Sequence, residues 1–197
     1  VGIMKDFSKA ITMNLKIAGD SLFLIGPRFD ELGGSEYYRT LFHETGANVP
    51  IVRFDLERSM IYAVIDAIDE GLLAAAHDIS NGGLAASICE MALVRPARFG
   101  VDLNLDQVQG GDGDGAASPR TDRLLFSESS GFVLEANKGK EARLAELLAS
   151  YGLMPMQIGT VTGKRRIVMS RAGKMFVDLE LDLARDAWTA GLVEAMR

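Results

Sequence analysis

With a single cysteine among 197 residues, Cys89, the chain can close no disulfide within itself. A domain of this length buries a core without bridges or structural metal, and their lack suits a reducing, cytoplasmic setting. No apolar run approaches the ~20 residues that a membrane-spanning helix needs. The opening residues, Val1-Gly2-Ile3-Met4-Lys5-Asp6, hold no basic segment followed by a hydrophobic one and do not read as a secretory signal. Because they also lack an initiator methionine, the expectation is a piece of something longer. Positive charge is outnumbered, 21 Lys and Arg against 27 Asp and Glu. The net charge of −6 disfavours broad binding to a nucleic-acid backbone. The one tight basic cluster, Lys164-Arg165-Arg166, reads as solvated turn charge before a strand. There is no phosphate-binding loop with its lysine, and His43 and His77 keep no metal-ligand spacing with Cys89. Cys89 itself reads as a buried, inert thiol on a helix.

What is present is a pattern of interspersed strands and helices. Asp20 to Gly26 reads as a buried strand, and Leu72 to Ala76 as a second one ending at His77-Asp78. Ser35 is placed to cap a helix running to about Glu44. After Asp55, Met60, Ile61, Val64, Ile65 and Ile68 recur at helical spacing until Gly71. Leu84, Ile88, Met91 and Ala92 mark another helix, and Phe99, Val101, Leu103 and Leu105 alternate as in a half-buried strand. Residues 109–122 read as a glycine- and aspartate-rich surface loop. Short apolar runs at 124–126 and 132–134 read as strands, Glu141 to Tyr151 as a helix, and 157–162, 166–169 and 175–181 as strands, the last two joined by a hairpin turn at Ala172-Gly173. Leu183, Trp188 and Leu192 suggest a last helix docked by its apolar face, with Trp188 as anchor. The whole predicts an α+β fold with a mixed, largely antiparallel sheet covered by helices.

Three short segments can carry chemistry. In Ala76-His77-Asp78-Ile79-Ser80-Asn81-Gly82-Gly83-Leu84, a carboxylate at a strand end precedes a glycine turn and a helix start. Exposed amides there favour an anion, and the oxygen donors of Asp78 and Ser80 suit a Mg²⁺–phosphate group. The same residues also make a self-capped turn. In Phe126-Ser127-Glu128-Ser129-Ser130-Gly131, hydroxyls flank a carboxylate; they can grip a sugar or amide, or bond their own backbone. Gly33-Gly34-Ser35-Glu36 opens a helix and is either an anion-competent end or an ordinary cap. Gly111-Asp112-Gly113-Asp114-Gly115 mimics a dinucleotide or calcium loop but lacks the preceding strand of the one and the terminal glutamate of the other.

These segments resemble, in order, motifs of the phosphoribosylformylglycinamidine synthase family: Leu32-Gly33-Gly34-Ser35-Glu36-Tyr37, then His77-Asp78-Ile79-Ser80-Asn81-Gly82-Gly83-Leu84 with Cys89-Glu90-Met91-Ala92, then Phe126-Ser127-Glu128-Ser129. The family shares a superfamily with aminoimidazole ribonucleotide synthase, selenophosphate synthetase and a hydrogenase maturation protein. The resemblance, which covers nearly the whole chain, implies a second C-terminal domain over residues 20–197, with 1–19 as the connection from an N-terminal ATP-binding domain. It implies an ATP-dependent C–N ligase of purine biosynthesis, converting formylglycinamide ribonucleotide to formylglycinamidine ribonucleotide with glutamine-derived ammonia. It further implies Mg²⁺ and ATP or ADP as cofactors, Asp78 as metal ligand, Ser80, Asn81, Gly82 and Gly83 as nucleotide-binding, and Gly33, Gly34, Ser35, Ser127, Glu128 and Ser129 as substrate or phosphate contacts. The implied partners are the N-terminal domains of the same polypeptide, a glutaminase subunit or domain and a small nucleotide substrate, with neither nucleic acid nor membrane. The family's catalytic histidine and glycine-rich ATP segments have no counterpart, so the chain by itself is expected to be inactive. Two departures stand out: Asn81 where aspartate is more usual, and Ser130 where glutamine follows the Glu-Ser pair. The alternatives are a ligand-free pseudo-symmetric half that only braces an active site, or another member of the superfamily.

Overall fold

The computed structural model describes residues 6–111 and 120–195, with side chains as far as 191 at the C-terminal end. Most of the glycine- and aspartate-rich segment and the side chain of Leu192 lie outside the described residues. Seven strands, β1 (Ser21–Ile25), β2 (Leu73–Asp78), β3 (Gly100–Asn104), β4 (Phe132–Ala136), β5 (Met156–Thr162), β6 (Arg166–Arg171) and β7 (Lys174–Glu180), form one sheet in the order β2-β4-β1-β5-β3-β6-β7. Every pairing is antiparallel except β3 with β6. Six helices surround it: α1 (Glu36–Phe42), α2 (Phe54–Asp69), α3 (Gly83–Leu93), α4 (Thr121–Phe126), α5 (Glu141–Ser150) and α6 (Leu181–Ala195).

The central strand explains why its sequence is apolar throughout. Leu22 and Leu24 of β1 face a core shared with α3, α4 and α6, whereas Phe23 and Ile25 face a core shared with α2 and α5. Both faces are covered, so no polar alternation survives. The second core draws strand residues only from β1, β2 and β4. Beyond it, β3 keeps one buried face, and Val101 and Leu103 alternate with the exposed Asp102 and Asn104.

Three local readings change. Residues 124–126 belong to helix α4, with Leu124 and Leu125 buried against the first core; three apolar residues carry no period, so strand and helix could not be told apart there. On α2 the buried stripe is Met60, Ala63, Val64 and Ala67, while Ile61 and Ile65 face outward. Alanines permit the close approach that larger residues on the neighbouring stripe would prevent. Among the described side chains of α6 the buried ones are Leu181 and Ala184; Leu183 and Trp188 are exposed, so Trp188 does not anchor the helix.

The segment ahead of β1 is fastened by a buried carboxylate. Glu135 of β4 accepts from the amides of Lys16 and Ile17 at 3.0 Å, and the fully buried Asp20, whose two oxygens have no other hydrogen-bond partner, lies beside it. Burial pushes the Glu135 carboxyl up to about 7 and raises that of Asp20. The folded chain therefore holds a proton that the unfolded chain releases near its ordinary value of 4.5, and stability falls as pH rises from there and levels off above about 7. The expected loss between pH 5 and 8 is about 2 kcal/mol. Thermal unfolding at a series of pH values checks it: Glu135→Gln should flatten the decline, and equal slopes in the two proteins would contradict it.

Candidate functional site

The exits of β1 and β2 and the entry of β4 meet at one end of the strands, since Ile25 and Asp78 both pair with Phe132. Helices α1 and α3 follow two of these strands and α4 precedes the third, which gathers the three segments singled out above.

Asp78 is the last residue of β2, and its side chain is 62% exposed. Its Oδ1 lies 3.2 Å from His77 Nδ1, and His77 Nε2 lies 2.8 Å from Glu90 Oε2 on α3. His77 is thereby pinned between two carboxylates. Beside Asp78 is a small hollow of about 150 Å³, bordered by Glu57, Ile61, Ser130 and Phe132. Among the described residues no three metal-ligating side chains cluster. Mg²⁺ does not require that, because it keeps waters and binds through one or two carboxylates plus phosphate oxygens. Asp78, exposed and bordering the hollow together with Glu57, is the residue that could hold such an ion.

After Ile79 the chain turns through Ser80-Asn81-Gly82-Gly83, closed by the Gly83 amide donating to the Ser80 carbonyl at 3.0 Å. Ser80 and Asn81 are exposed, and neither side chain caps α3. Gly82 and Gly83 adopt φ of 79° and 68°. A Cβ on Gly83 would lie 2.6 Å from the Leu125 carbonyl oxygen and 2.8 Å from that of Ser127. The chain's own packing against the end of α4 thus demands glycine there.

The cap of α3 comes from a distant residue. Glu128 Oε1 accepts from the Gly82 amide at 2.7 Å and from the Glu36 amide, at the start of α1, at 2.8 Å. One carboxylate oxygen therefore joins all three segments and answers the positive ends of two helices. Ser35 caps α1 by accepting from the Tyr38 amide and donates its own hydroxyl to the Leu32 carbonyl. Gly33 lies against the backbone of Asn48, where a Cβ would come within 2.6 Å. Gly34 is exposed and donates its amide to the Thr45 carbonyl.

Ser127 and Ser129 point inward. Their hydroxyls lie 2.7 Å apart, and Ser129 donates to Glu31 Oε2 at 2.8 Å. Glu31 is in turn paired with Arg53, whose guanidinium stacks 3.2 Å over the Phe29 ring. Beneath them the fully buried Arg28 donates to the carbonyls of Ser130 at 2.7 Å and Ser127 at 3.3 Å. Burial pulls its guanidinium down to about 10, with Glu31 opposing the shift. Tyr37 of α1 stacks on Phe126 of α4 at 4.5 Å, closing the same group of helices. No sequence pattern marks Arg28, Glu31 or Arg53, because isolated charges beside a strand or helix end look like surface. Cys89 sits apart, and burial raises its thiol to about 11, as for an inert group.

A family described as AIR synthase related protein, C-terminal domain, matches residues 18–171. The phosphoribosylformylglycinamidine synthase subunit PurL of Methanothrix thermoacetophila is 54% identical over 198 residues, covering 100% of this chain and 24% of that protein. The chain spans about a quarter of the length of the curated relatives it matches. Among solved structures, T. maritima PurL complexed with FGAR superposes with a TM-score of 0.73 at 16% identity, covering 90% of this chain and 30% of that one. The hydrogenase maturation protein HypE gives 0.56 at 16% identity, covering 86% and 56%. At such identities the likeness is one of fold.

Proposed function

The chain belongs to the family of AIR synthase related protein C-terminal domains, and from that membership we propose that it forms the C-terminal part of a phosphoribosylformylglycinamidine synthase. In this reading the whole polypeptide uses ATP to activate the amide oxygen of formylglycinamide ribonucleotide. Ammonia from a glutaminase subunit or domain then adds at that carbon and phosphate leaves, giving the amidine, ADP and phosphate. The observation that carries the reading is 54% identity along the entire chain to a PurL subunit. The hydrogenase-maturation alternative rests on fold alone.

Within that enzyme the Asp78 corner contributes nucleotide contacts. Asp78 would hold Mg²⁺, which neutralises phosphate charge, while exposed Ser80 and Asn81 would face the nucleotide and Gly82 and Gly83 shape the turn. Gly33, Gly34, Ser35, Ser127, Glu128 and Ser129 act mostly by positioning this corner, since their polar groups already bond one another or nearby backbone. That self-satisfaction is also what favours the second reading, a bracing half without ligand. Neither histidine is free to act over an open hollow: His43 is the exposed C-cap of α1, and His77 is tied to Asp78 and Glu90. Catalysis therefore calls on the remaining polypeptide, and this chain alone would be inactive. Leu41 and Phe42 of α1 and Phe54, Ile61, Tyr62 and Ile65 of α2 are exposed, Phe54 at 80%. An apolar face of that extent suits burial against the rest of the same polypeptide.

Assay of the full-length polypeptide tests the reading. ADP release should require formylglycinamide ribonucleotide together with ammonia or glutamine. ATP consumption that ignores the ribonucleotide but follows selenide would assign the protein elsewhere in the superfamily.

A further inference from the structure

Two features of the sequence stand outside the function proposed above, the basic cluster at 164–166 and the only tryptophan, Trp188. The fold brings them together. A hollow of about 510 Å³ opens between the chain leaving α3 and the outer side of α6, next to the turn that leads into β6. Buried Leu93 and Ala97 contribute to its floor, half-exposed Trp188 lines one wall, and Arg95, Arg165 and Arg185 line the rest. Arg165 donates to the Ala97 carbonyl and to Asp182 Oδ1, and Arg185 reaches the same oxygen at 3.1 Å. One carboxylate thus fixes two guanidiniums, and among the described residues Arg95 has no acidic partner. The carbonyl end of α3 presents about half a negative charge to this place. Three guanidiniums against one carboxylate outweigh it, in a chain whose net charge is −6.

Guanidinium forks recognise phosphate oxygens in pairs, and an indole face accepts a planar ring or a cation. With cations already on the rim, the ring to be stacked belongs to the ligand. The volume falls within the range of ordinary small-molecule sites, about 300–1,000 Å³. We propose that this hollow binds a nucleoside phosphate, its base stacked on Trp188 and its phosphate held by Arg95 and Arg185. The site is separate from the Asp78 corner, which lies at the other end of α3, roughly 15 Å away along an eleven-residue helix. It uses no metal ligand.

Because Trp188 is the sole tryptophan of the 197-residue chain, its selectively excited emission reports on this hollow. ADP in the presence of a metal chelator should change that emission saturably. Inorganic phosphate should displace ADP, and adenosine should bind at least about tenfold more weakly. Arg95→Ala, at an exposed residue without a described polar partner, should leave the melting transition in place and weaken ADP by at least about tenfold. Emission that shows no saturation with ADP, or an ADP affinity indifferent to Arg95→Ala, would overturn the proposal.

Discussion

Glu128→Ala is expected to destabilise the chain by about 3 kcal/mol and to loosen the starts of α1 and α3 together. Glu128 Oε1 receives the amides of Glu36 and Gly82, at the two helix starts. Hydrogen bonds to a charged acceptor contribute about 1.5–3 kcal/mol each, and a carboxylate at a helix N-terminus adds about 0.3–1. Glu128 is half-buried, so water recovers part of this, which keeps the figure near the lower end of the sum. Glu128→Gln retains an acceptor oxygen without the charge and should cost about half as much. Urea unfolding gives the totals. Amide hydrogen exchange gives the signature, faster exchange at Glu36 and Gly82 in the same variant despite their separation in sequence. A loss below about 1 kcal/mol, with exchange unchanged at both amides, would mean that the carboxylate does not join these helices.

Asp78→Ala should behave in the opposite way, with little effect on folding and a large one on ligand binding. The side chain is 62% exposed and its described contact is with neighbouring His77, so the unfolding free energy should move by no more than about 0.5 kcal/mol. Binding of a Mg²⁺-nucleotide at the corner would lose one of the two carboxylates bordering the hollow. Glu57 is the other, and it already accepts from the Arg53 amide at 3.2 Å. We expect affinity to fall by about 100-fold, equivalent to about 2.7 kcal/mol.

Much of this architecture was legible in the sequence because local rules and tertiary packing agree. The continuous apolar run of β1, the Ser35 cap, the alternation in β3 and the strand–turn–helix corner at Asp78 each follow from a few adjacent residues. What could not be read depends on partners far apart in the chain. Glu128 looked like one acceptor in a polar knot, and its role as the cap of two helices appears only once residues 36, 82 and 128 are brought together. Ser127 and Ser129 looked equally able to face a ligand or their own backbone; they face inward because Glu31 and Arg28 lie beneath them. Size misled where packing is close. Ile61 and Ile65 seemed better core residues than Ala63 and Ala67, and Trp188 a better anchor than Leu181 or Ala184, yet the smaller residues make the contact.

Calorimetric titration of Mg²⁺-ADP into the full-length polypeptide, wild type against Asp78→Ala, is the most direct measurement. A working corner predicts that one binding event disappears or weakens about 100-fold while any other is untouched. Identical stoichiometry and affinity in the two proteins would contradict it, leaving this domain as a brace for an active site elsewhere.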